Sequence, residues 1–293
     1  MEIILITGGA GFIGSNLIKF ILKRKKSIQI YSLDNYSSGK RINHINSSKV
    51  KYLKGSTLDL NKNKNLLKIK FDKVYHFAEY SRIVPSFVDY ELCLTNNNFG
   101  TLEVIKFCLK NNAKLIYSAS SSTIGKNKNL SPYSWSKYSS NELIKNFSKW
   151  FGLKYVIVYF YNVYGNNQIL NGKMAAVIGI FEDQYKSGRP LTIVKPGTQK
   201  RDFTHVNDIV NGTYLASTKA INDEFHIGSG KNYKLIDIVK MFKSKYTYVE
   251  ERPGERFYSL SSSNKAKRIL NYKPKYALKE YIKKFINKNN NNN

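Results

Sequence analysis

The amino-acid sequence predicts an α/β fold with a parallel, doubly wound sheet, and three observations lead to this prediction. Short apolar runs alternate with helical patterns in the first half of the chain, a glycine-rich turn follows the first run, and the pattern loosens after about Gly165. Strands are predicted over residues 3–7, 28–33, 50–53, 74–77, 114–118 and 155–160. This alternation favours a parallel sheet covered by helices on both faces, with ligands at the carboxyl ends of its strands.

The predicted organisation is a large domain with a smaller lobe. Residues 1–162 are expected to carry the sheet, and residues 204–228 to return to it through a helix over 208–217 and a strand over 225–227. Residues 163–203 and 229–286 contain most of the prolines and are expected to form a smaller α/β substrate-binding lobe over the strand ends. The Asn-rich residues 287–293 are predicted to be a disordered tail.

The charge balance is strongly positive, with 48 Lys and Arg residues against 20 Asp and Glu residues. A basic face for nucleic acid or for a membrane surface is one explanation. We favour compositional drift instead, because the lysines are scattered and form no block interleaved with aromatic residues. We therefore expect neither a nucleic-acid partner nor a membrane partner.

No signal peptide and no apolar run of the roughly 20 residues that cross a bilayer is predicted, so a cytoplasmic location is expected. The spacing of the two cysteines, Cys93 and Cys108, suggests neither a disulfide framework nor a metal site.

The glycine-rich turn spans residues 7–14 and leads into a helix predicted over 11–23. Its glycines allow a tight turn, close approach of backbone to a pyrophosphate, and packing of the helix on the strand. The free N–H groups and dipole of the helix N-terminus favour phosphate. The segment predicts a dinucleotide-binding Rossmann turn, although an ordinary tight turn is the alternative. The predicted cofactor contacts here are Gly8, Gly11, Phe12, Ile13 and Gly14.

Asp34 ends the second predicted strand, 20 residues after Gly14. A carboxylate at that place can accept hydrogen bonds from both hydroxyls of an adenosine ribose and would repel the extra phosphate of NADP. The sequence therefore predicts NAD as the cofactor, with Asp34 and the adjacent Asn35 in its site.

Tyr133 and Lys137 lie four residues apart at the start of a predicted helix and share one face of it. A phenol ordinarily keeps its proton until about pH 10, but a neighbouring ammonium and a positively charged nicotinamide favour the phenolate. A serine-rich segment, residues 118–122, ends the strand before this helix and offers a hydroxyl to the same substrate oxygen. Together with the glycine turn, these residues predict a base-catalysed oxidation, whereas either residue alone is more typical of a surface.

These elements, in this order, resemble the extended short-chain dehydrogenase/reductase family, and within it the NAD-dependent sugar-nucleotide epimerase/dehydratase group. The resemblance covers residues 2–286. It implies that Ser120, five residues before Gly125, is the catalytic hydroxyl that positions the substrate oxygen. Tyr133 is then the base that deprotonates a sugar hydroxyl, and Lys137 holds the nicotinamide ribose and supports Tyr133.

The resemblance also implies further ligand contacts. Asp59 and Leu60 match an adenine-contacting segment, and Phe77 and Ala78 match a loop on the nicotinamide side. The implied substrate contacts are Arg82, Ser120, Asn162, Arg201, Arg252 and Ser259, with the arginines Arg201 and Arg252 holding the substrate diphosphate.

Within this group, the sequence favours an epimerase acting at C4 of a UDP-hexose through a transient keto-sugar, as in UDP-glucose 4-epimerase-like members. A dehydratase would need an Asp-Glu pair where this chain has Ser121 and Ser122, and a one-way reductase would normally use NADP. Ser259 resembles the site of a pocket-narrowing Tyr, so a UDP-N-acetylhexosamine is also a plausible substrate. Another oxidation of a sugar nucleotide, such as a decarboxylation or a 3-epimerisation, and an NAD-sensing or nucleic-acid-binding protein are the alternatives.

Residues 79–82 depart from the family pattern, because Glu79 and Arg82 stand where small residues are usual. They could recognise an unusual substrate or pair with each other, and we favour pairing. Tyr159 and Ser262 depart as well, where many relatives have Arg and Asp. The resemblance further implies a homodimer packed through the helices near residues 98–111 and 133–150.

Overall fold

The structure, a computed structural model, describes residues 1–290 apart from the side chain of Lys126. Its strands are β1 Glu2–Thr7, β2 Ile28–Asp34, β3 Val50–Lys54, β4 Lys73–His76, β5 Lys114–Ser120, β6 Tyr155–Phe160, β7 Val163–Tyr164, β8 Leu191–Val194, β9 Lys200–Asp202, β10 Thr204–His205, β11 Asp223–Ile227, β12 Asn232–Lys234 and β13 Tyr246–Val249. Its helices are α1 Phe12–Leu22, α2 Lys64–Leu67, α3 Tyr90–Leu94, α4 Gly100–Asn111, α5 Pro132–Phe151, α6 Val177–Lys186, α7 Val206–Lys219, α8 Leu235–Phe242 and α9 Leu278–Asn290.

Seven strands form one sheet in the order β11-β6-β5-β4-β1-β2-β3, and every neighbouring pair in it is parallel. The chain winds outward from β1 in one direction through β2 and β3, and in the other through β4, β5 and β6. This reversal between β1 and β4 opens a crevice at their carboxyl ends, which is where such sheets bind ligands. The predicted α/β, doubly wound Rossmann fold is confirmed.

Alternating side chains of the strands pack on the two faces of the sheet. Along β1, Ile4 and Ile6 join one core cluster with α1 and α7, whereas Leu5 joins the other with α4. Successive side chains of a strand point to opposite faces, so this alternation buries both faces under helices. The four consecutive apolar residues of β1, Ile3 to Ile6, would be costly on an exposed sheet, and here both faces of the sheet are covered.

The second lobe has a core of its own, built from α6, β8, α8 and α9. Its largest fully buried side chains include Phe181 and Phe242. Helix α9 contributes Leu278 and Ile282 to this core. This lobe stands over the carboxyl ends of the sheet and supplies one wall of the cavity described below.

The prediction of a disordered tail from residue 287 is wrong for residues 287–290, which belong to α9. Phe285 and Ile286 pack against the second core and carry the helix past them. The side-chain amide of Asn289 donates to the Phe285 carbonyl oxygen at 2.7 Å, and Tyr185 donates to Asn290 at 3.1 Å. Residues 291–293 lie outside the described residues.

Within residues 1–290, no helix combines the length and the apolar character that crossing a bilayer requires.

Two buried histidines make stability depend on pH. Burial lowers the pKa of His76 and of His205 to about 4 from the ordinary 6.5, so the folded protein keeps both rings neutral. The unfolded chain takes up these protons near pH 6.5, whereas the folded chain does so only near pH 4. We therefore expect stability to be greatest above pH 6.5 and to fall towards pH 4, by up to about 1.4 kcal/mol per pH unit for each histidine.

His205→Asn tests this dependence. His205 caps α7, because its Nδ1 accepts a hydrogen bond from the Asn207 N–H at 3.1 Å, and an Asn oxygen can replace that acceptor. Urea unfolding at several pH values should show a shallower loss of stability between pH 6.5 and 4 in the variant. An unchanged slope would contradict the assignment of a neutral, titrating His205.

Candidate active site

One cavity of about 760 Å³ lies between the carboxyl ends of the sheet and the second lobe. It brings together most of the residues that the sequence singled out. The predicted residues lining it are Gly8, Gly11, Phe12, Ile13, Gly14, Asp34, Asn35, Phe77, Ala78, Arg82, Ser120, Tyr133, Lys137, Asn162, Arg201 and Arg252.

The glycine turn at the mouth of β1 depends on the absence of side chains. Gly8 has φ +75°, a conformation that favours glycine, and a Cβ there would lie 2.9 Å from the Ala78 nitrogen. A Cβ on Gly14 would lie 2.2 Å from the Gly8 carbonyl oxygen. The turn therefore holds the start of α1 close to the strands and leaves a cradle of backbone N–H groups, which suits a pyrophosphate.

Asp34 is held in place at the end of β2. Its two carboxylate oxygens accept hydrogen bonds from the Ala10 N–H at 2.9 Å and the Tyr36 N–H at 2.8 Å. Because each carboxylate oxygen can accept more than one hydrogen bond, the group can still bind two ribose hydroxyls. The cradle of the turn and this fixed carboxylate together fit the pyrophosphate and adenosine ribose of NAD.

Tyr133 and Lys137 occupy the first turns of α5, on its buried face. The helix begins where the Ser131 hydroxyl accepts a hydrogen bond from the Ser134 N–H at 3.0 Å, with Pro132 in the first turn. The Tyr133 N–H donates to the Ser86 hydroxyl at 3.2 Å. These contacts fix the direction in which α5 presents both side chains to the cavity.

Ser120 is the last residue of β5 and faces the same cavity. Its hydroxyl oxygen accepts hydrogen bonds from the Ser122 N–H at 3.2 Å and from the Ser122 hydroxyl at 3.0 Å. With both of these donors directed at its oxygen, the Ser120 hydroxyl can direct its own hydrogen towards a substrate oxygen.

The predicted pairing of Glu79 with Arg82 is wrong. Glu79 instead forms a buried ion pair with the Lys137 ammonium. Its other oxygen accepts from the Tyr117 hydroxyl at 2.8 Å and the Thr101 hydroxyl at 3.2 Å. The pairing differs because Glu79 points inward behind α5, whereas the Arg82 Nη1 donates to the Ser81 carbonyl oxygen at 2.8 Å.

A buried polar chain connects this ion pair to the glycine turn. The His76 ring lies between the hydroxyls of Thr7, at 2.7 Å, and Thr101, at 3.0 Å, and Thr101 contacts Glu79. Burial, and then the charge of Glu79, raise the pKa of Tyr117, so its phenol stays protonated and donates. The chain fixes Lys137, whose Nζ also donates to the Ser118 carbonyl oxygen at 2.6 Å.

Four arginines surround the cavity. Arg201 pairs with Glu255, and Arg252 lies at the exposed rim. Arg256, which the sequence analysis missed, is buried and donates to the Ser121 hydroxyl at 3.2 Å. The one sequence signal that could have identified Arg256 as a site residue is its position four residues after Arg252. Sequence spacing alone does not say which of the two arginines points into the cavity.

Three predicted contacts lie outside this cavity. Asp59 and Leu60 line a smaller adjoining depression that shares Gly55 and Ser56 with it, so their contact with adenine stays a prediction. Asp59 is exposed and pairs with Lys62 at 3.3 Å.

Ser259 does not line the cavity, contrary to the prediction. It is buried behind the wall, where its hydroxyl oxygen accepts from the Asp202 N–H at 3.3 Å and from the Asn162 side-chain amide at 3.4 Å. Ser259 therefore positions Asn162 from behind the cavity wall.

The chain matches the model of a known family over residues 4–228, described as the NAD dependent epimerase/dehydratase family. A putative UDP-glucose 4-epimerase of Methanocaldococcus jannaschii is 30% identical, and the alignment covers 99% of each chain.

Two solved structures are similar to this chain over nearly its whole length. A UDP-glucose 4-epimerase of Thermotoga maritima, solved with UDP-glucose, is 28% identical and has a TM-score of 0.90 over 99% of each chain. A UDP-glucuronic acid 4-epimerase of Bacillus cereus, in complex with UDP-glucuronic acid and NAD, is 25% identical and has a TM-score of 0.88 over 100% of each chain.

Proposed function

Because the chain belongs to the NAD-dependent epimerase/dehydratase family, we propose that it epimerises a nucleotide sugar at C4 of a UDP-hexose or a UDP-N-acetylhexosamine. The observation that carries this proposal is that Ser120, Tyr133 and Lys137 line the same cavity as the glycine turn and Asp34. The similar proteins named above support the choice of a UDP-sugar. They are a putative UDP-glucose 4-epimerase, a UDP-glucose 4-epimerase and a UDP-glucuronic acid 4-epimerase.

In the proposed reaction, Tyr133 removes the proton from the C4 hydroxyl while Ser120 holds that oxygen by a hydrogen bond. The glycine turn and Asp34 would hold NAD, which would supply the acceptor for the C4 hydride and the donor for its return. Lys137, held by Glu79 and by the Ser118 carbonyl oxygen, would bind the nicotinamide ribose. After the keto-sugar turns over in the cavity, Tyr133 gives the proton back to the oxygen, and the opposite configuration results.

The two residues that follow Ser120 favour epimerisation over dehydration. Water elimination needs groups that exchange protons near neutral pH, and Ser121 and Ser122 cannot do so. Both serines are buried, and the Ser121 hydroxyl is occupied by Arg256. A dehydratase is thus the weaker candidate, although its fold would be the same.

We assign the binding of the substrate diphosphate to Arg201 and Arg252. Asn162 is assigned a further contact with the sugar nucleotide. Asn162 is fixed by a 2.8 Å hydrogen bond from its side-chain amide to the Asp202 carbonyl oxygen. Guanidinium groups suit this task because each can donate two parallel hydrogen bonds to phosphate oxygens.

The direct test follows proton NMR spectra of the NAD-loaded protein with UDP-glucose, with UDP-N-acetylglucosamine and with UDP-glucuronate, each in a separate sample. The matching galacto-configured product is expected from at least one of them. If NAD is bound and neither UDP-glucose, UDP-N-acetylglucosamine nor UDP-glucuronate is epimerised, the proposed function is wrong.

We also propose a homodimer that packs through α4 and α5, as the resemblance implied. Large apolar side chains are exposed on and beside these helices, among them Phe99, 62% exposed, and Trp150, 61% exposed. Such a patch is typical of a surface that another chain covers. Light scattering should give twice the chain mass of 33.7 kDa, and Phe99→Ser should lower it. A monomer at micromolar concentration would contradict this arrangement.

A further inference from the structure

Several cations of the cavity wall have no carboxylate partner among residues 1–290 of the protein. Among its cations, Lys137 pairs with Glu79, Arg201 with Glu255, and Lys173 with Asp89. Across the described residues, the three remaining guanidiniums of the lining have no carboxylate within 4.0 Å. These are Arg82, Arg252 and Arg256.

Arg82 is one of these unpaired cations and lies near the catalytic phenol. Its Nη1 donates to the backbone and hydroxyl oxygens of Ser81, at 2.8 and 3.4 Å. Its Nε is buried and has no hydrogen-bond partner among the described residues. Burial lowers the pKa of Arg82, and the Tyr133 and Tyr80 phenols oppose that shift, so these groups are close enough for their charges to interact.

Arg256 approaches the same place from the second lobe. Its side chain is 8% exposed, its Nη1 is held by the Ser121 hydroxyl, and its Nε is a buried donor without a partner in the described chain. Burial, and then the charge of Arg201, lower the pKa of Arg256 to about 10, and the Tyr133 phenol opposes them. Ser121, the partner of Arg256, follows Ser120, and Ile83, which follows Arg82, packs against the cluster that contains Tyr133. Both arginines therefore flank the catalytic residues.

A buried guanidinium N–H without an acceptor is costly, and a buried charge without a counterion is costlier. A ligand that brings an acceptor and a negative charge to this place relieves both costs. In the proposed function, the glycine turn takes the pyrophosphate of NAD, and Arg201 and Arg252 take the diphosphate of the substrate. Neither anion is assigned to Arg82 or Arg256.

We propose that Arg82 and Arg256 form a second anion site, which binds a carboxylate on the sugar ring of the substrate. This inference rests on the proposed function and narrows its substrate to a UDP-sugar with an acidic sugar. A planar carboxylate fits the forked donors of a guanidinium, and the cavity wall carries Arg82 from the loop after β4 and Arg256 from the segment after β13. The neutral hydroxymethyl group of a hexose would bring an acceptor oxygen but no negative charge to these guanidiniums.

The test compares matched ligands that differ in one carboxylate. Binding is measured by calorimetry on the NAD-loaded Tyr133→Phe protein, in which turnover is blocked. UDP-glucuronate should bind roughly 10- to 100-fold more tightly than UDP-glucose, which is the range that a charge-assisted hydrogen bond supplies. A second pair, UDP-N-acetylmuramate and UDP-N-acetylglucosamine, distinguishes a carboxylate on an ether side chain from one at C6.

Three variants in the same background locate the effect. Arg82→Gln should bring the affinity ratio of the matched ligands close to 1, and Arg82→Lys should keep part of it, because the charge remains and the fork is lost. Arg252→Gln, at the diphosphate end, should weaken both ligands of a pair by the same factor and leave their ratio unchanged.

The inference and the function on which it rests can fail separately. Equal affinities of the intact cavity for both members of each pair, or an unchanged ratio in Arg82→Gln, would overturn the carboxylate site while epimerisation of a neutral UDP-sugar still stands. Loss of NAD affinity in Arg82→Gln, without a change in the ratio, would likewise overturn it and assign Arg82 to the cofactor. Failure of every UDP-sugar to bind would instead refute the proposed function.

Discussion

Tyr133→Phe is expected to lower kcat for epimerisation by roughly 10²- to 10⁴-fold, the usual contribution of a general base. Phe keeps the ring that α5 buries and removes only the hydroxyl, so the helix and the cavity wall stay as they are. NAD and the UDP-sugar should still bind, because the cradle of the turn and the arginines are untouched. The loss should therefore appear in kcat far more than in KM.

A matched control is available on the same helix. Tyr138 follows Lys137 directly, carries the same phenol and does not line the cavity. Tyr138→Phe should leave kcat within a few-fold of the original value. If Tyr133→Phe keeps more than a tenth of the activity, or if both variants lose activity equally, Tyr133 is not the base.

The parts of the site that sequence could predict are local ones. The glycine turn is set by steric needs within one strand–helix junction, since Gly8 and Gly14 lie against each other in the structure. Asp34 was predictable because it ends a strand whose neighbour is β1, and Tyr133 and Lys137 because helical spacing puts them on one face. The apolar alternation likewise identified the sheet strands, with ends shifted by a residue or two.

The parts that sequence missed depend on contacts between distant residues. Glu79 and Lys137 are 58 positions apart, and Arg256 and its partner Ser121 are 135 apart. Nearness in the chain made Arg82 the natural partner of Glu79, but the fold turns their side chains in different directions. Ser259 failed for the same reason, because its hydroxyl is directed at Asn162, 97 positions away, and not at the cavity.

Glu79→Gln is expected to lower the free energy of unfolding by about 3–5 kcal/mol, the cost of breaking a buried ion pair by removing one partner. The side chains of Glu79 and Lys137 are 2% and 5% exposed, so water cannot replace the lost charge. The Lys137 ammonium would keep only the Ser118 carbonyl oxygen, and the donors of Tyr117 and Thr101 would face a neutral amide. Urea unfolding of the protein without ligand measures this change.

A double-mutant cycle separates the ion pair from the loss of either residue alone. Lys137→Met in the Glu79→Gln background removes the uncompensated ammonium, so the double variant should be destabilised by less than the sum of the single variants. The exposed pair Asp59–Lys62 provides the control, since its side chains are 65% and 80% exposed. Asp59→Asn should cost less than about 1 kcal/mol. If the two single effects simply add, Glu79 does not hold Lys137, and the position of the catalytic ammonium must come from the Ser118 carbonyl and from α5 itself.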